Sequence, residues 1–198
     1  MVVSYNNNTK KSMALLISLF DDLNLKLDDD SLYEIKMYIG TASKLYKANE
    51  TKSAKNKITM RVPALFVDFV DFVPAPERGT NRMNKRHIVT LEDGTSARVH
   101  RNSTAYNFNF RINLLAKNML ELTNITEAMI SGFHNGIRYV SYNTVFGDKM
   151  SIAIRLNSSE NESDNFETET NEGVLRQMSF DFSVEGFIEQ NTPYDASK

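Results

Sequence analysis

The chain has 198 residues, a formal net charge of −2 and no cysteine. That length supports one sizeable domain with its own core or two small ones, and the near-neutral charge excludes a global attraction to nucleic acid or anionic membrane. The missing thiols exclude disulfides and thiolate metal sites and are compatible with a reducing cytoplasm. Hydrophobic residues make up 41% and charged residues 24%, which excludes wholesale disorder; a single domain over residues 1–198, carrying insertions, is expected.

Residues 1–8 lack the basic-then-apolar order of a signal peptide, and no stretch reaches the length of a membrane span. A soluble protein used without secretion and without membrane contact is expected. From 9 to 23, Met13, Leu16, Ile17 and Phe20 recur at the spacing of an amphipathic helix, with Asn8 or Thr9 as its cap. Residues 31–39 alternate Tyr33, Ile35, Met37 and Ile39 against Leu32, Glu34, Lys36 and Tyr38, which predicts a strand. Asp28, Asp29 and Asp30 read as a turn, because the glycine and terminal glutamate of a calcium loop are missing. Residues 47–57 are polar and read as a loop or strand edge.

The most apolar run, 58–73, contains Val62, Leu65, Phe66, Val67, Phe69 and Val70. Proline has no N–H for a sheet ladder, so Pro63 marks an edge, a bulge or the start of the strand that follows. Residues 74–104 break the pattern. Pro74, Pro76 and Gly79 end the strand, and Asp93-Gly94 is a hairpin-turn dipeptide between two short strands. A protruding hairpin arm is expected, made locally basic by Arg78, Arg82, Lys85, Arg86, Arg98 and Arg101.

Residues 106–116 alternate Tyr106, Phe108, Phe110, Ile112 and Leu114 with Asn107, Asn109, Arg111 and Asn113, the mark of a half-buried strand. A second amphipathic helix carries Leu122, Ile125, Met129 and Phe133, with Gly136 as its terminator. Residues 137–142 and 150–156 form a hairpin, the latter with Ile152 and Ile154 inward and Arg155 outward. Residues 157–173 hold six acids and no base and read as an acidic, mobile loop. Residues 176–188 close the sheet, with Met178, Phe180, Phe182 and Val184 inward and Ser179, Asp181, Ser183 and Glu185 outward. Residues 191–198 read as a polar tail that frays. This order gives an α+β fold, with an antiparallel or mixed β-sheet covered by two amphipathic helices.

No catalytic chemistry is visible. His87, His100 and His134 lack a second ligand at metal spacing, and no phosphate loop, nucleophile elbow or zinc-protease motif occurs. Asp68 and Asp71 stand three apart in a strand and so point to opposite faces unless a bulge intervenes. No cofactor, no metal and no enzymatic activity are expected. The basic arm fits protein contact first, plain solvation next and nucleic acid last, since no aromatic residue between Arg78 and Arg101 is available to stack on bases.

Four segments carry a resemblance. Tyr5-Asn6, then Lys10-Lys11 and the helix through Phe20, form the first. Arg61-Val62-Pro63 with Val67-Asp68-Phe69 is the second, and residues 106–114 followed by the helix through Phe133 the third. The fourth is the run from Phe180 to Phe187, ending in Val184-Glu185-Gly186-Phe187. Together they resemble the tail completion and tail sheath stabiliser family, or tail terminators, of contractile-tailed bacteriophages. The arm at 74–104 stands where that family leads one to expect a short connection.

The resemblance implies a tail-terminator-like fold and a structural virion protein of the tail and neck, assembled in the host cytoplasm. It implies a homo-oligomeric ring, a hexamer, capping the head-proximal end of the tail tube. Its partners would be the tube, the sheath and neck or connector proteins, and DNA would pass through the lumen. The alternatives are a head-tail connector or a DNA-binding accessory protein using the arm. Ring closure needs two different complementary surfaces per subunit, and the basic arm against the acidic loop is one such pair. Candidate interaction residues are thus Lys10, Lys11, Arg78, Arg82, Lys85, Arg86, Arg98, Arg101, Asp181 and Glu185.

Overall fold

In the computed structural model, the described residues are 8–26, 32–41, 62–78, 87–90, 96–100, 104–143, 149–161, 175–188 and 194–197. The elements run in the order α1 (Asn8–Ser18), β1 (Asn24–Lys26), β2 (Leu32–Glu34), β3 (Lys36–Ile39), β4 (Ala64–Pro74), a 3-10 turn (Pro76–Arg78), β5 (His87–Thr90) and β6 (Ser96–His100). They continue with β7 (Thr104–Ala116), α2 (Met119–Ser131), β8 (Ile137–Asn143), β9 (Lys149–Asn161), β10 (Arg176–Ile188) and β11 (Tyr194–Ser197). None of the described helices is long and apolar enough to cross a membrane.

A six-stranded mixed sheet of order β3-β4-β7-β10-β9-β8 carries the fold, with a β1-β2 ribbon and a three-stranded β11-β6-β5 sheet beside it. Its centre is the pair of long alternating strands: β7 and β10 run antiparallel without a slip from Thr104↔Ile188 to Ala116↔Arg176. One face of this pair, made of Phe108, Phe110, Ile112, Leu114, Phe180, Phe182 and Val184, is buried beneath Leu16 and Phe20 of the first helical segment and Leu122, Ile125 and Met129 of α2. Both helices therefore lie on one side. Phe182 joins the layers, its ring centroid 5.8 Å from that of Phe20 and 5.4 Å from that of Phe133.

The helix ends differ from the periodicity reading. α1 stops at Ser18, and its most buried line is Asn8, Ser12 and Leu16, two of them polar. The reason is a close approach to β10: a Cβ on Gly186 would stand 2.7 Å from the Phe108 ring and 3.3 Å from Ser12 Oγ. α2 ends at Gly132 rather than Gly136, and the Gly132 N–H donates to the Ile130 carbonyl. Gly136 instead has φ +75° at the turn into β8, where glycine avoids the steric cost of the left-handed region. At the other end of α2, Asn118 accepts from the Glu121 N–H at 2.8 Å while the Glu121 carboxylate accepts from the Lys117 N–H at 3.1 Å.

The strand expected over 31–39 is two strands from residue 32 onward. The chain breaks at Ile35, whose N–H donates to the Leu23 carbonyl at 3.1 Å, so β2 joins the ribbon and β3 joins the main sheet, parallel to β4. Ile39, expected in the core, is exposed. Pro63 directly precedes β4, where its missing N–H breaks no ladder bond. β9 reaches Asn161, so the first five positions of the acidic segment are strand. The tail expected to fray contributes β11, paired with β6. The hairpin reading holds for β5 and β6, whose register, His87↔His100 to Thr90↔Ala97, is centred between positions 93 and 94. Residues 28–30 and 47–57 and the remainder of the acidic segment, 162–173, lie outside the described residues.

Candidate functional site

The face of the sheet away from the helices is polar, and its order follows from register. β4, β7, β10 and β9 set Asp68, Arg111, Asp181 and Ser158 in one cross-strand row. The next row holds Asp71, Asn109, Ser183 and Arg155. Asp68 and Asp71 share this face because Val70 is a bulge between Phe69↔Phe110 and Asp71↔Asn109, the condition under which residues three apart converge.

Several charges on this face bind one another. Arg111 donates to both oxygens of Asp181, Nε to Oδ1 at 2.8 Å and Nη2 to Oδ2 at 3.3 Å, and Ser158 Oγ donates to Oδ2 at 3.0 Å. The Arg111 hydrogen bonds hold the Asp181 carboxyl below its usual range, against an opposing push from partial burial. Arg155 Nε donates to Glu185 Oε1 at 2.6 Å, and Arg78 Nη1 lies 3.7 Å from Glu185 Oε2. Glu185 thus sits between two guanidinium groups.

Arg78 leaves the arm and folds onto the sheet. Its Nη2 donates to the Tyr106 carbonyl at 2.7 Å and to Asn107 Oδ1 at 2.6 Å, and its guanidinium carbon stands 5.7 Å from the centre of the Phe187 ring. Burial lowers its pKa, with Glu185 pulling the other way, and its Nε is buried without a hydrogen-bond partner. Asn109 Nδ2 donates to Asp71 Oδ1 at 2.6 Å, and Ser179 Oγ donates to Asn113 Oδ1 at 2.8 Å.

Of the outward residues expected on β10, Asp181 and Glu185 remain partly open, whereas Ser179 and Ser183 are 4% and 7% exposed. Longer neighbours close over the serines, so they serve as spacers within the sheet. The polar face also ends early: Ala64, Phe66 and Leu115 form a second small apolar cluster with Tyr38, whose ring stacks 5.4 Å from that of Phe66.

The structure brings together Arg78, Asp181 and Glu185 among the candidate residues. Lys10 and Lys11 belong to α1, on the helix side of the sheet, and Arg98 belongs to β6 in the three-stranded sheet. Arg82, Lys85, Arg86 and Arg101 lie outside the described residues. Arg111 and Arg155 complete the network; alternation marks both as outward, but only register shows which acids they meet. Among the described residues no three His, Cys, Asp or Glu side chains converge to hold a metal. Chemically the face is a plate of mutually paired charges and amides, with the Asp181 carboxyl held in its ionised form.

The model of the T4-like virus Myoviridae tail sheath stabiliser family matches residues 3–193 of this chain. The chain belongs to that family. No curated protein matches it. The outer bounds of the match enclose residues 74–104. As a tail sheath stabiliser of this family, the chain is a structural protein of the phage tail, a virion component that interacts with other tail components.

Proposed function

We propose that the chain assembles into a ring, a hexamer, that caps the head-proximal end of the tail tube, holds the last ring of the sheath and joins the tail to the neck. It does so without catalytic turnover, and DNA passes through its lumen. Assembly takes place in the host cytoplasm. Membership of the tail sheath stabiliser family over residues 3–193 carries this reading. The paired-charge face supports it physically: Arg78, Arg111 and Arg155 fix Asp181 and Glu185 in place, so a partner meets pre-ordered groups and less side-chain freedom is lost on binding.

The test is to add purified protein to tails assembled without it and to image them. Rings seated at one end of the tube, sheath retained on the tube and heads joined to those tails are the expected result. Tails that keep their sheath and join heads equally well without the protein would overturn the proposal.

A further inference from the structure

The main sheet ends in two edges of matched length. β3 pairs with β4 from Lys36↔Ala64 to Ile39↔Val67, and the Gly40 N–H donates to the Val67 carbonyl at 2.7 Å, where the pairing ends. Beyond that point residues 68–74 of β4 have a strand partner on the β7 side alone among the described residues. The stretch is as long as the seven residues of β8, the strand at the opposite edge, which among the described residues pairs with β9 alone.

This stretch of β4, without a second strand partner among the described residues, is apolar as well. Val70, Phe72 and Val73 are 54%, 51% and 45% exposed, and on β8 Tyr139 is 68% exposed. Scattered exposed apolar residues are ordinary, but three within four positions on an open edge form a template for another strand. The two edges differ in charge. Residues 68–74 carry Asp68 and Asp71 and no base, while β8 carries Arg138 and no acid.

We propose that residues 68–74 of β4 receive β8 of a second copy of this chain, so that the sheet continues from one subunit into the next. This rests on the ring reading above and names its contact. Each step from β4 through β7, β10 and β9 to β8 is antiparallel, so four steps return β8 to the direction of β4. A copy turned about an axis along the strands keeps that direction and both faces of the sheet. Its β8 therefore lies parallel to β4, in line with β3. Arg138 pairs with Ile154 and so shares the helix side, where it meets Phe69 and Phe72 and places a cation against aromatic rings. Tyr139, on the other side, offers its phenol O–H to the carboxylates of Asp68 and Asp71. Because the two edges differ, the contact is head-to-tail, the type that closes rings.

The chain has no cysteine, so introduced thiols are the only ones present. V73C/Y139C, treated with a short bis-maleimide linker and run on a denaturing gel, is expected to give a ladder of covalent multimers ending at the ring size. V73C and Y139C, each alone, are expected to remain monomeric. Both positions are exposed, and circular dichroism checks the fold; D71C/Y139C provides a second pair. Rings visible by negative stain with no ladder from either pair would overturn this contact and leave the ring reading standing. A single variant that ladders as well as the double would also overturn it. A wild-type chain that stays monomeric at every concentration would overturn the ring reading and this contact together.

Discussion

Arg111 grips Asp181 with two hydrogen bonds across β7 and β10, at 2.8 and 3.3 Å, on the face of the sheet away from the helices. Because the pair is largely open to solvent, Asp181→Asn is expected to cost no more than about 1 kcal/mol near neutral pH, read from urea unfolding with an unchanged slope. The pH dependence has a definite sign. The folded-state pKa of Asp181 is lowered, so its stabilisation is present above the unfolded value of about 3.9 and is lost as pH falls through the folded value. The stability difference between wild type and D181N should therefore shrink below about pH 4; a difference that grows on acidification would contradict this.

Gly186 lies against Phe108, and a methyl group there would overlap the ring. Gly186→Ala is expected to destabilise the fold by about 1–3 kcal/mol through overpacking. In the double variant with Phe108→Leu, the loss should be smaller than the sum of the two single losses, because the smaller side chain relieves the overlap. Thermal melts of the three proteins provide the comparison.

Phe182 is 1% exposed and packs against the rings of Phe20 and Phe133, which follow α1 and α2. Phe182→Ala is expected to cost about 3–5 kcal/mol. The loss should appear as one cooperative transition, since the residue couples both helices to the sheet.

Arg78 holds the 3-10 turn to β7 through the Tyr106 carbonyl and the Asn107 amide. Arg78→Met keeps much of the aliphatic stem and removes these bonds, with an expected cost of about 2 kcal/mol for hydrogen bonds from a charged donor. Asn109→Asp would set a carboxylate beside Asp71 in place of the amide that now donates to it; an increase in stability at neutral pH would contradict the observed donor direction.

Much of this fold is legible in the sequence where one face is buried and the other is not. β7 and β10 alternate strictly because helices cover one side only, and the span read for the closing strand coincides with β10. Elements governed by particular contacts are not legible in this way. The break at Ile35 depends on a bond to Leu23, and the buried polar Ser12 on α1 depends on the approach to Gly186. For the candidate site, Asp181 and Glu185 could be placed outward by parity. Their partners Arg111 and Arg155 lie 70 and 30 residues away in sequence, and pairing at that range is set by strand register, which alternation does not encode.

The extra residue at Val70 and the proline that ends β4 bear on the proposed pairing between copies of this chain. A bulge and a proline are devices by which sheet edges avoid indiscriminate pairing, and β4 carries both within its exposed stretch. The ring proposed above requires an edge that refuses most strands it collides with. On β4 the ladder is interrupted after Phe69 and lacks a donor at Pro74, so an arbitrary extended segment finds few bonds to make. A partner presented at fixed register by a folded neighbour suffers least from those gaps.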